Sequence, residues 1–259
     1  MKKMIYLMIF VALAGLYSCD QANEKQNVEF YLTDAPADDN IESVFVDVQS
    51  IKYSLNDETW VDVPISAVVV DLLKFSNGTD TLLSNIELNT GERIQQLRLV
   101  LGENNYIVFK DGSIEELTTP SAQQSGLKIN VHSNVEVTSG YKVVIDFDAN
   151  RSIVATGSGK YNLKPVIRAY IQANTSRLFG NLIPTNVPTK VFTVTELNDT
   201  IATVSDTTQN NLWVLHGLFS GVYDVVAEDL TTGELDTIAA GVQVMGGTNQ
   251  NLGTTVLFD

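Results

Sequence analysis

A chain of 259 residues that is 44% hydrophobic can fill one large core or two ordinary ones, and two domains are the better expectation. The formal net charge of −15 argues against nucleic acid as a partner, because an acidic surface repels phosphate backbones. Helix formers are scarce and Val, Ile, Thr, Asn and Gly are plentiful, so the composition predicts an all-β protein.

The first eighteen residues are typical of a secretory signal peptide. Lys2 and Lys3 precede an apolar run, Met4 to Leu16, that is shorter than the about 20 residues a membrane-spanning helix needs. The run ends in Leu16-Tyr17-Ser18-Cys19, which resembles a bacterial lipobox. Cys19 is the single cysteine of the chain, so we expect it to carry the acyl chains, palmitate among them, of an outer-membrane lipoprotein and to form no intrachain disulfide.

Residues 19–26 are then expected to be the lipidated cysteine and a short polar tether. The alternative is an ordinary signal peptide that is cut after Ser18. The sequence leaves open whether the anchored protein faces the periplasm or the exterior.

Short strands are predicted through residues 27–172. Val28 to Thr33 alternates apolar and polar residues, and Val44 to Tyr53 is expected to form a hairpin with Trp60 to Val63. Val68 to Leu73 is apolar except for Asp71 and is expected to be a strand buried on both faces or a short core segment. Leu82 to Leu88 is ambiguous.

Two further features organise this region. Leu97, Leu99 and Leu101 share one face of a strand, and the turn at 102–105 predicts a second hairpin with Tyr106 to Phe109. Later, Tyr141 to Phe147, Ser152 to Ala155 and Tyr161 to Ile171 predict three strands at the centre of the main sheet. Strands of this length and spacing indicate a β-sandwich or barrel.

Four segments in this region resemble one family. They are LTDAPADD from Leu32, LRLVLGENN from Leu97, PSAQQSGLKIN from Pro120 and DFDANRSIVATGSGKYNLKPVIR from Asp146. In this order they are similar to the envelope lipoproteins grouped as domain of unknown function 4382. The resemblance covers about residues 27–172 and implies a β-sandwich in the cell envelope of Bacteroidota-like bacteria. It supplies no catalytic residues.

A second domain is predicted at residues 178–259, after a polar link from Ala173 to Arg177. Its Leu218-x-x-Gly221-x-Tyr223-x-Val225 pattern is similar to the small prealbumin-like sandwich of carboxypeptidase-regulatory modules. The resemblance implies a structural spacer or a binding platform.

Paired acids are the strongest candidates for chemistry. Asp34, Asp38 and Asp39 crowd the first loop, and Asp146 and Asp148 end the central strand. Because calcium takes six to eight oxygen ligands, Asp34, Asp38, Asp146 and Asp148 are a candidate calcium site. The structural alternative is that the loop acids shape a turn while Asp146 or Asp148 pairs with Arg151 or Arg168. A carboxylate pair for hydrolysis is the third interpretation.

Other patterns favour structural roles. His132 and His216 lie in different predicted domains and neither accompanies a nucleophile elbow. Gly157-Ser158-Gly159-Lys160 lacks the remaining residues of a phosphate loop and predicts a turn. Five aromatic residues could stack on sugar rings if exposed but are expected to pack across strands: Tyr31, Tyr53, Trp60, Tyr106 and Tyr141.

Four segments that begin with Asp-Thr resemble the Asp-Thr-apolar acceptor triplet of O-glycosylation in Bacteroidota envelope proteins. The candidate acceptors are Thr81, Thr200, Thr207 and Thr237. Modification requires exposure, and we expect at least one of them to be modified.

The sequence therefore predicts a lipid-anchored envelope protein of two β-sandwich domains that binds or scaffolds a glycan or an envelope protein and is not an enzyme. One alternative is a glycoside or ester hydrolase, which needs Asp34 and Asp146 in a deep cleft. The other is a fimbrillin-like adhesin subunit, which needs an extractable terminal strand. No certain cofactor is predicted, and calcium is the candidate.

Overall fold

A computed structural model describes residues 24–35, 40–56, 58–119, 126–132, 139–196 and 198–257. Nearly all of the regular structure in these ranges is β-strand, and the strands pack as sandwiches, so the all-β prediction is confirmed. The signal peptide, Cys19, Asp38 and Asp39 lie outside the described residues. Within the described ranges, no helix is both long enough and apolar enough to cross a membrane.

The first thirteen strands form what we call the N-terminal unit, residues 25–171. They are β1 (Lys25–Ala35), β2 (Ile41–Ser54), β3 (Val61–Val63), β4 (Val68–Asp71), β5 (Thr81–Asn89), β6 (Gln96–Leu101), β7 (Tyr106–Phe109), β8 (Ile114–Thr118), β9 (Leu127–His132), β10 (Tyr141–Asp148), β11 (Ile153–Ala155), β12 (Tyr161–Leu163) and β13 (Ile167–Ile171). Their order is β11-β12-β8-β7-β2-β6-β9-β13-β10-β1-β5, and β3 and β4 also pair with β2.

Strand β2 organises one half of this unit. It is 14 residues long, and its beginning pairs with β7 while its end pairs with β6. The predicted hairpin with β3 is confirmed. The predicted hairpin of β6 with β7 is wrong, because β6 bonds β2 and β9 whereas β7 bonds β2 and β8. β6 and β7 instead lie end to end along one edge of β2, and β3 and β4 pair with its other edge.

Strands β1, β10 and β13 lie side by side in the other half, with β1 parallel and β13 antiparallel to β10. Successive side chains of a strand point to opposite faces. Phe30, Ile145 and Ala169 therefore point into the core that both halves share. The opposite face presents Thr33, Val144, Asp146, Arg168 and Tyr170. That polar face is where the rest of the chain docks.

Three further expectations differ from the structure. Val68 and Val69 are exposed, so the run from Val68 is a half-buried edge strand that turns into a 3-10 helix at Leu72–Phe75. The run from Tyr161 to Ile171 divides into β12 and β13, because Pro165 between them has no N–H to donate to a sheet. Strand β1 begins at Lys25, inside the expected tether, because the Gln26 amide donates to the carbonyls of Asn89 and Glu92.

The remaining strands form the C-terminal unit, residues 176–257. They are β14 (Ser176–Ile183), β15 (Thr189–Val194), β16 (Thr200–Val204), β17 (Leu212–Leu218), β18 (Gly221–Asp229), β19 (Leu235–Val244) and β20 (Asn249–Val256). One sheet has the order β17-β14-β20 and the other β16-β15-β18-β19. A separate core lies between them, with Trp213 as its largest fully buried side chain.

A single 3-10 turn, Gln172–Asn174, connects β13 to β14. A helical turn, α1 (Ala149–Ser152), follows β10. The short connection keeps the C-terminal unit against the polar face of β10 and β13, and this junction positions the candidate site.

Candidate functional site

The edge of strand β17 meets the polar face of the N-terminal unit. β17 is the outer strand of its sheet. Leu212 O, which points away from β14, accepts from the backbone N–H of Asp206 over 2.8 Å, whereas the outward backbone groups of Val214 and His216 lack a neighbouring strand. Side chains of the N-terminal unit supply the missing hydrogen bonds. Two residues far apart in sequence, Asn77 and Arg168, do this.

Arg168 is the charged one of these two side chains. Its Nε donates to Asp146 Oδ2 over 2.6 Å, and its Nη1 and Nη2 donate to the backbone oxygens of Gly217 and His216 over 3.1 and 3.0 Å. Burial opposes the charge of Arg168, but the neighbouring groups Asp146, Tyr170 and Asp199 together outweigh burial and raise the pKa of Arg168 above its usual value. The guanidinium therefore stays charged and spans the junction.

Gly217 is required at this contact. Its φ of +71° is a conformation that side chains disfavour, and a Cβ there would lie 2.7 Å from the Tyr170 ring. The absence of a side chain lets the backbone carbonyl approach Arg168.

Tyr170 and His216 form a second contact across the junction. The Tyr170 hydroxyl and His216 Nδ1 are 2.8 Å apart. Burial raises the pKa of Tyr170 above its usual value and lowers the pKa of His216 below its usual value. Both side chains are therefore neutral at neutral pH, and the pair acts as a hydrogen bond and not as an ion pair.

Asn77 makes the third contact, from the predicted Asn77-Gly78 turn. Asn77 has φ +52° and Gly78 φ +83°, which confirms a tight turn. The Asn77 amide binds strand β17 as a neighbouring strand would: Nδ2 donates to Leu212 O over 3.1 Å, and Oδ1 accepts from Val214 N over 2.7 Å. This turn therefore docks one unit on the other.

A cavity of about 470 Å³ opens beside these contacts. Strand β1, the turn after Asn77, the 172–175 connection, β14, β17 and the start of β20 all contribute to its wall. Its polar and charged lining residues are Thr33, Thr79, Asp80, Tyr170, Gln172, Thr175, Arg177, His216 and Asn249. This volume is in the range of small-molecule sites, and the walls come from both units.

The predicted acids do not share one environment. Thr33 is the register partner of Asp146 and Asp34 that of Phe147, so Asp34 points into the core while Asp146 points to the junction. Asp148 caps α1 by accepting from Arg151 N over 2.9 Å, and its side chain is 3.9 Å from the Arg151 guanidinium. The ion pairs of Asp146 with Arg168 and of Asp148 with Arg151 are those of the structural alternative.

Asp34 is the most unusual of these acids. Its Oδ1 accepts from Ala149 N over 3.1 Å, and among the described residues Oδ2 has no hydrogen-bond partner. Burial raises the pKa of Asp34 well above its usual value, the Ala149 hydrogen bond opposes this, and the charges of Asp146 and Asp148 add to it. A raised pKa favours the protonated form.

The calcium site stays a prediction. Among the described residues, no group of three or more His, Cys, Asp or Glu side chains is placed to hold a metal ion, and Asp38 lies outside those residues. The candidate carboxylates Asp34 and Asp146 face opposite sides of their sheet, and neither lines the 470 Å³ cavity.

Most of the aromatic candidates pack inside the N-terminal unit. Tyr53 and Tyr141 are buried, and Tyr106 stacks on Phe45 with ring centroids 4.5 Å apart. Lys142 lies 4.3 Å over the Tyr31 ring and Arg98 4.5 Å over the Trp60 ring. These contacts match the expected cross-strand packing.

The four candidate acceptor threonines lie on different surfaces. Thr207 is exposed in a 3-10 turn and Thr237 is exposed on β19. Thr81 and Thr200 are half-buried. Glycosylation stays a prediction, and exposure favours the first two.

Sequence reasoning did not identify His216 as a junction residue. It occupies a polar position between buried residues of β17, Leu215 and Gly217, a pattern equally typical of a solvent-facing side chain. The Asn-Gly turn predicted the local conformation of Asn77 but carried no signal for its partner strand, which lies more than 130 residues later. His132 packs edge-on to Phe219 with centroids 6.2 Å apart.

Comparison with known proteins gives one family and several remote structures. A family model described as domain of unknown function (DUF4382) matches residues 25–165. No curated protein matches the chain.

Among solved structures, a leucine-rich repeat protein from Bacteroides thetaiotaomicron is 10% identical over 90% of this chain and 26% of its own, with a TM-score of 0.20. The Bacillus anthracis TIE protein is 11% identical over 90% and 34%, with a TM-score of 0.24. A C-terminal fragment of the pilus adhesin SpaC from Lactobacillus rhamnosus GG is 10% identical over 90% and 99%, with a TM-score of 0.19. This chain thus spans about a quarter and about a third of the first two structures. All three TM-scores are below 0.5.

Replacing Asn77 with Gly tests the docking role of the amide. Gly accepts the positive φ, so the substitution removes the side chain without straining the turn. Val214 N then loses its acceptor, and we expect the free energy of unfolding to fall by about 1–3 kcal/mol. Hydrogen exchange should accelerate in the peptide that contains β17. Denaturant titration and exchange mass spectrometry measure the two effects.

Asn198→Gly is the matched control. Asn198 also has a positive φ, +58°, and it lies exposed on the C-terminal unit. It should leave exchange in β17 unchanged. Equal effects of the two substitutions would contradict the docking role of Asn77.

Asp34→Asn tests the buried carboxyl. Because the folded pKa of Asp34 is raised above the unfolded value of about 3.9, its contribution to stability is fully present below about pH 4 and is lost as pH rises through the folded pKa. The Asn variant avoids this loss. We expect its stability relative to the natural chain to increase with pH above about pH 4, measured by thermal unfolding in chelator.

Asp111→Asn is the control of opposite sign, because hydrogen bonds from Ser113 lower the pKa of Asp111. Its stability relative to the natural chain should fall as pH rises. A flat profile for Asp34→Asn would refute the protonated-carboxyl interpretation.

A rise in the thermal midpoint of the natural chain with millimolar calcium that Asp146→Asn abolishes would support the calcium site instead.

Proposed function

The chain belongs to the family described as domain of unknown function DUF4382, whose model matches more than half of it, and from this membership and the junction cavity we propose that it is a lipid-anchored binding module of the cell envelope. The N-terminal unit and a prealbumin-like C-terminal unit form one scaffold, and the cavity between them takes the ligand. The cavity is the observation that carries this proposal.

Pre-organisation of the walls supports a binding role. Arg168, Tyr170 and Asn77 each bond the C-terminal unit from the N-terminal unit, so both walls are held before any ligand arrives. A ligand that enters a formed site loses less free energy to ordering than one that must assemble its site. A junction of this kind suits a receptor or scaffold for a small envelope ligand or a glycan.

A non-enzymatic role is part of the proposal. Tyr170 and His216 meet at 2.8 Å, but the raised pKa of Tyr170 disfavours the phenolate that a nucleophile would need. The hydrolase alternative needs Asp34 and Asp146 in one cleft, whereas these side chains face opposite sides of β1 and β10. The adhesin alternative needs an extractable terminal strand. Strand β1 is bonded on both sides, by β10 and β5, whereas β20, the last described strand, is an edge strand that bonds β14.

The anchor rests on the sequence. Lys2, Lys3, the apolar run and Cys19 predict lipidation at an outer-membrane or other envelope surface. The net charge of −15 leaves nucleic acid an unsuitable partner.

Blocking the cavity tests the binding function. Asn249 lines the cavity from an exposed position on β20, and we expect Asn249→Trp to fill the space without disturbing the core. Thermal unfolding is measured with panels of sugars, amino acids and short peptides. At a ligand concentration 100 times Kd, binding stabilises by about 2.7 kcal/mol. At least one class should raise the midpoint of the natural chain and not that of Asn249→Trp.

Gln250→Trp is the matched control, because Gln250 is exposed on the same strand and does not line the cavity. It should respond as the natural chain does. A midpoint that no panel raises, or an equal response of both tryptophan variants, would refute binding in this cavity.

Cys19→Ala tests the anchor. Each buried methylene of an acyl chain contributes about 0.8 kcal/mol to membrane binding, so loss of the acyl chains should move the protein from the membrane to the soluble fraction of the cell envelope. Cell fractionation and intact mass measure this. Ser18→Ala, which keeps the cysteine, is the control. Full membrane association of Cys19→Ala would mean that another feature anchors the protein.

A further inference from the structure

The junction cavity contains two charged side chains that the docking contacts do not use. Asp80 follows the Asn77-Gly78 turn of the N-terminal unit, and Arg177 lies on β14 of the C-terminal unit. Both line the cavity, and both are half-buried. One wall thus presents a carboxylate and the other a guanidinium.

Neither charge has a partner among the described residues. Arg168 is paired with Asp146, Arg151 with Asp148 and Asp199, and Lys190 with Glu228. No ion pair or side-chain hydrogen bond joins Asp80 or Arg177 to any residue in the described ranges. A half-buried ion that lines a cavity can form a charge-assisted hydrogen bond to a ligand of opposite charge, whereas a ligand that covers the ion without pairing it removes its water and leaves it unsatisfied.

The other lining groups are neutral or already occupied. Tyr170 and His216 bond each other, and the directions of their pKa shifts keep both neutral at neutral pH. The hydroxyls of Thr33, Thr79 and Thr175 donate to backbone carbonyls and cannot also donate to a ligand. The strongest free groups in the cavity are therefore one anion and one cation.

We propose that this cavity binds a small zwitterion, such as an amino acid or a short peptide, with its carboxylate on Arg177 and its ammonium on Asp80. The inference rests on the proposed function, since it names the ligand class of the same cavity. A guanidinium offers a carboxylate two parallel hydrogen bonds, and a carboxylate is the acceptor an ammonium requires. A volume of about 470 Å³ accommodates a dipeptide with some water.

A ligand with one charge leaves the other wall unsatisfied. An N-acylated peptide has no ammonium and covers Asp80 without pairing it. A peptide amide has no carboxylate and covers Arg177 without pairing it. Each carries the cost of an ion removed from water without a partner, and a neutral sugar carries that cost twice. The cavity is thus expected to prefer the molecule that has both charges.

The test uses the full chain, purified in detergent, and isothermal titration with three probes: L-alanyl-L-alanine, its N-acetyl derivative and its C-terminal amide. We expect the dipeptide to bind at least about tenfold more tightly than either derivative, since leaving a charged group unsatisfied costs upwards of about 1–3 kcal/mol. Asp80→Asn should abolish the preference over the N-acetyl derivative and keep the preference over the amide. Arg177→Gln should do the reverse.

Asp62→Asn is the control, because Asp62 pairs with Lys52 and does not line the cavity. It should leave both preferences intact. Equal binding of the three probes, preferences that survive both cavity substitutions, or no binding of any probe at millimolar concentration to folded protein would overturn the proposal. If another ligand class still gives a midpoint shift that Asn249→Trp blocks, the binding function stands and only the ligand class is wrong.

Discussion

The ion pair between Asp146 and Arg168 is the interaction on which the arrangement of the two units depends. Both side chains stand on adjacent strands of one sheet, β10 and β13, at directly opposed register positions. Arg168 neutralises the buried carboxylate and has enough donors left for two carbonyls of β17. Removing either partner would leave an uncompensated charge in the junction, which is why such a pair is costly to break even where it contributes little net stability.

The junction contains both the side chains that dock the two units and the cavity beside them. Arg168, Tyr170 and Asn77 consume their polar atoms in docking, and the cavity forms in the space that they leave beside the 172–175 connection. The side chains that dock the two units therefore already have hydrogen-bond or charge partners, whereas Asp80 and Arg177 at the cavity wall can still bind a ligand. The same interface therefore holds the units together in one part and can recognise a ligand in the other.

Local features were predictable from the sequence. Alternation located β1 and β6, β-branched and aromatic residues located β10, and the Asn77-Gly78 pair predicted its turn, because these signals depend on residues near each other in the chain. The pairing of Asp146 with Arg168 was one of the alternatives, since an arginine readily forms hydrogen bonds to a nearby carboxylate. The candidate site itself was not predictable. It needs β17 to meet Asn77 and Arg168, and the sequence pattern of a strand does not reveal which partner covers its edge. The same limit explains β6 and β7: their closeness in sequence predicted one hairpin, but the two strands lie end to end along one edge of β2.

The capping of β17 also bears on the solubility of the chain. An uncovered edge strand is a template on which another chain can add by backbone hydrogen bonds, and proteins avoid this by covering or charging such edges. Here Asn77 and Arg168 bond outward backbone groups of β17, and the backbone N–H of Asp206 also bonds Leu212. If the two units separated, that edge would be free to pair with a second molecule, and aggregation could begin there. The interface between the units therefore also protects each molecule from its own copies.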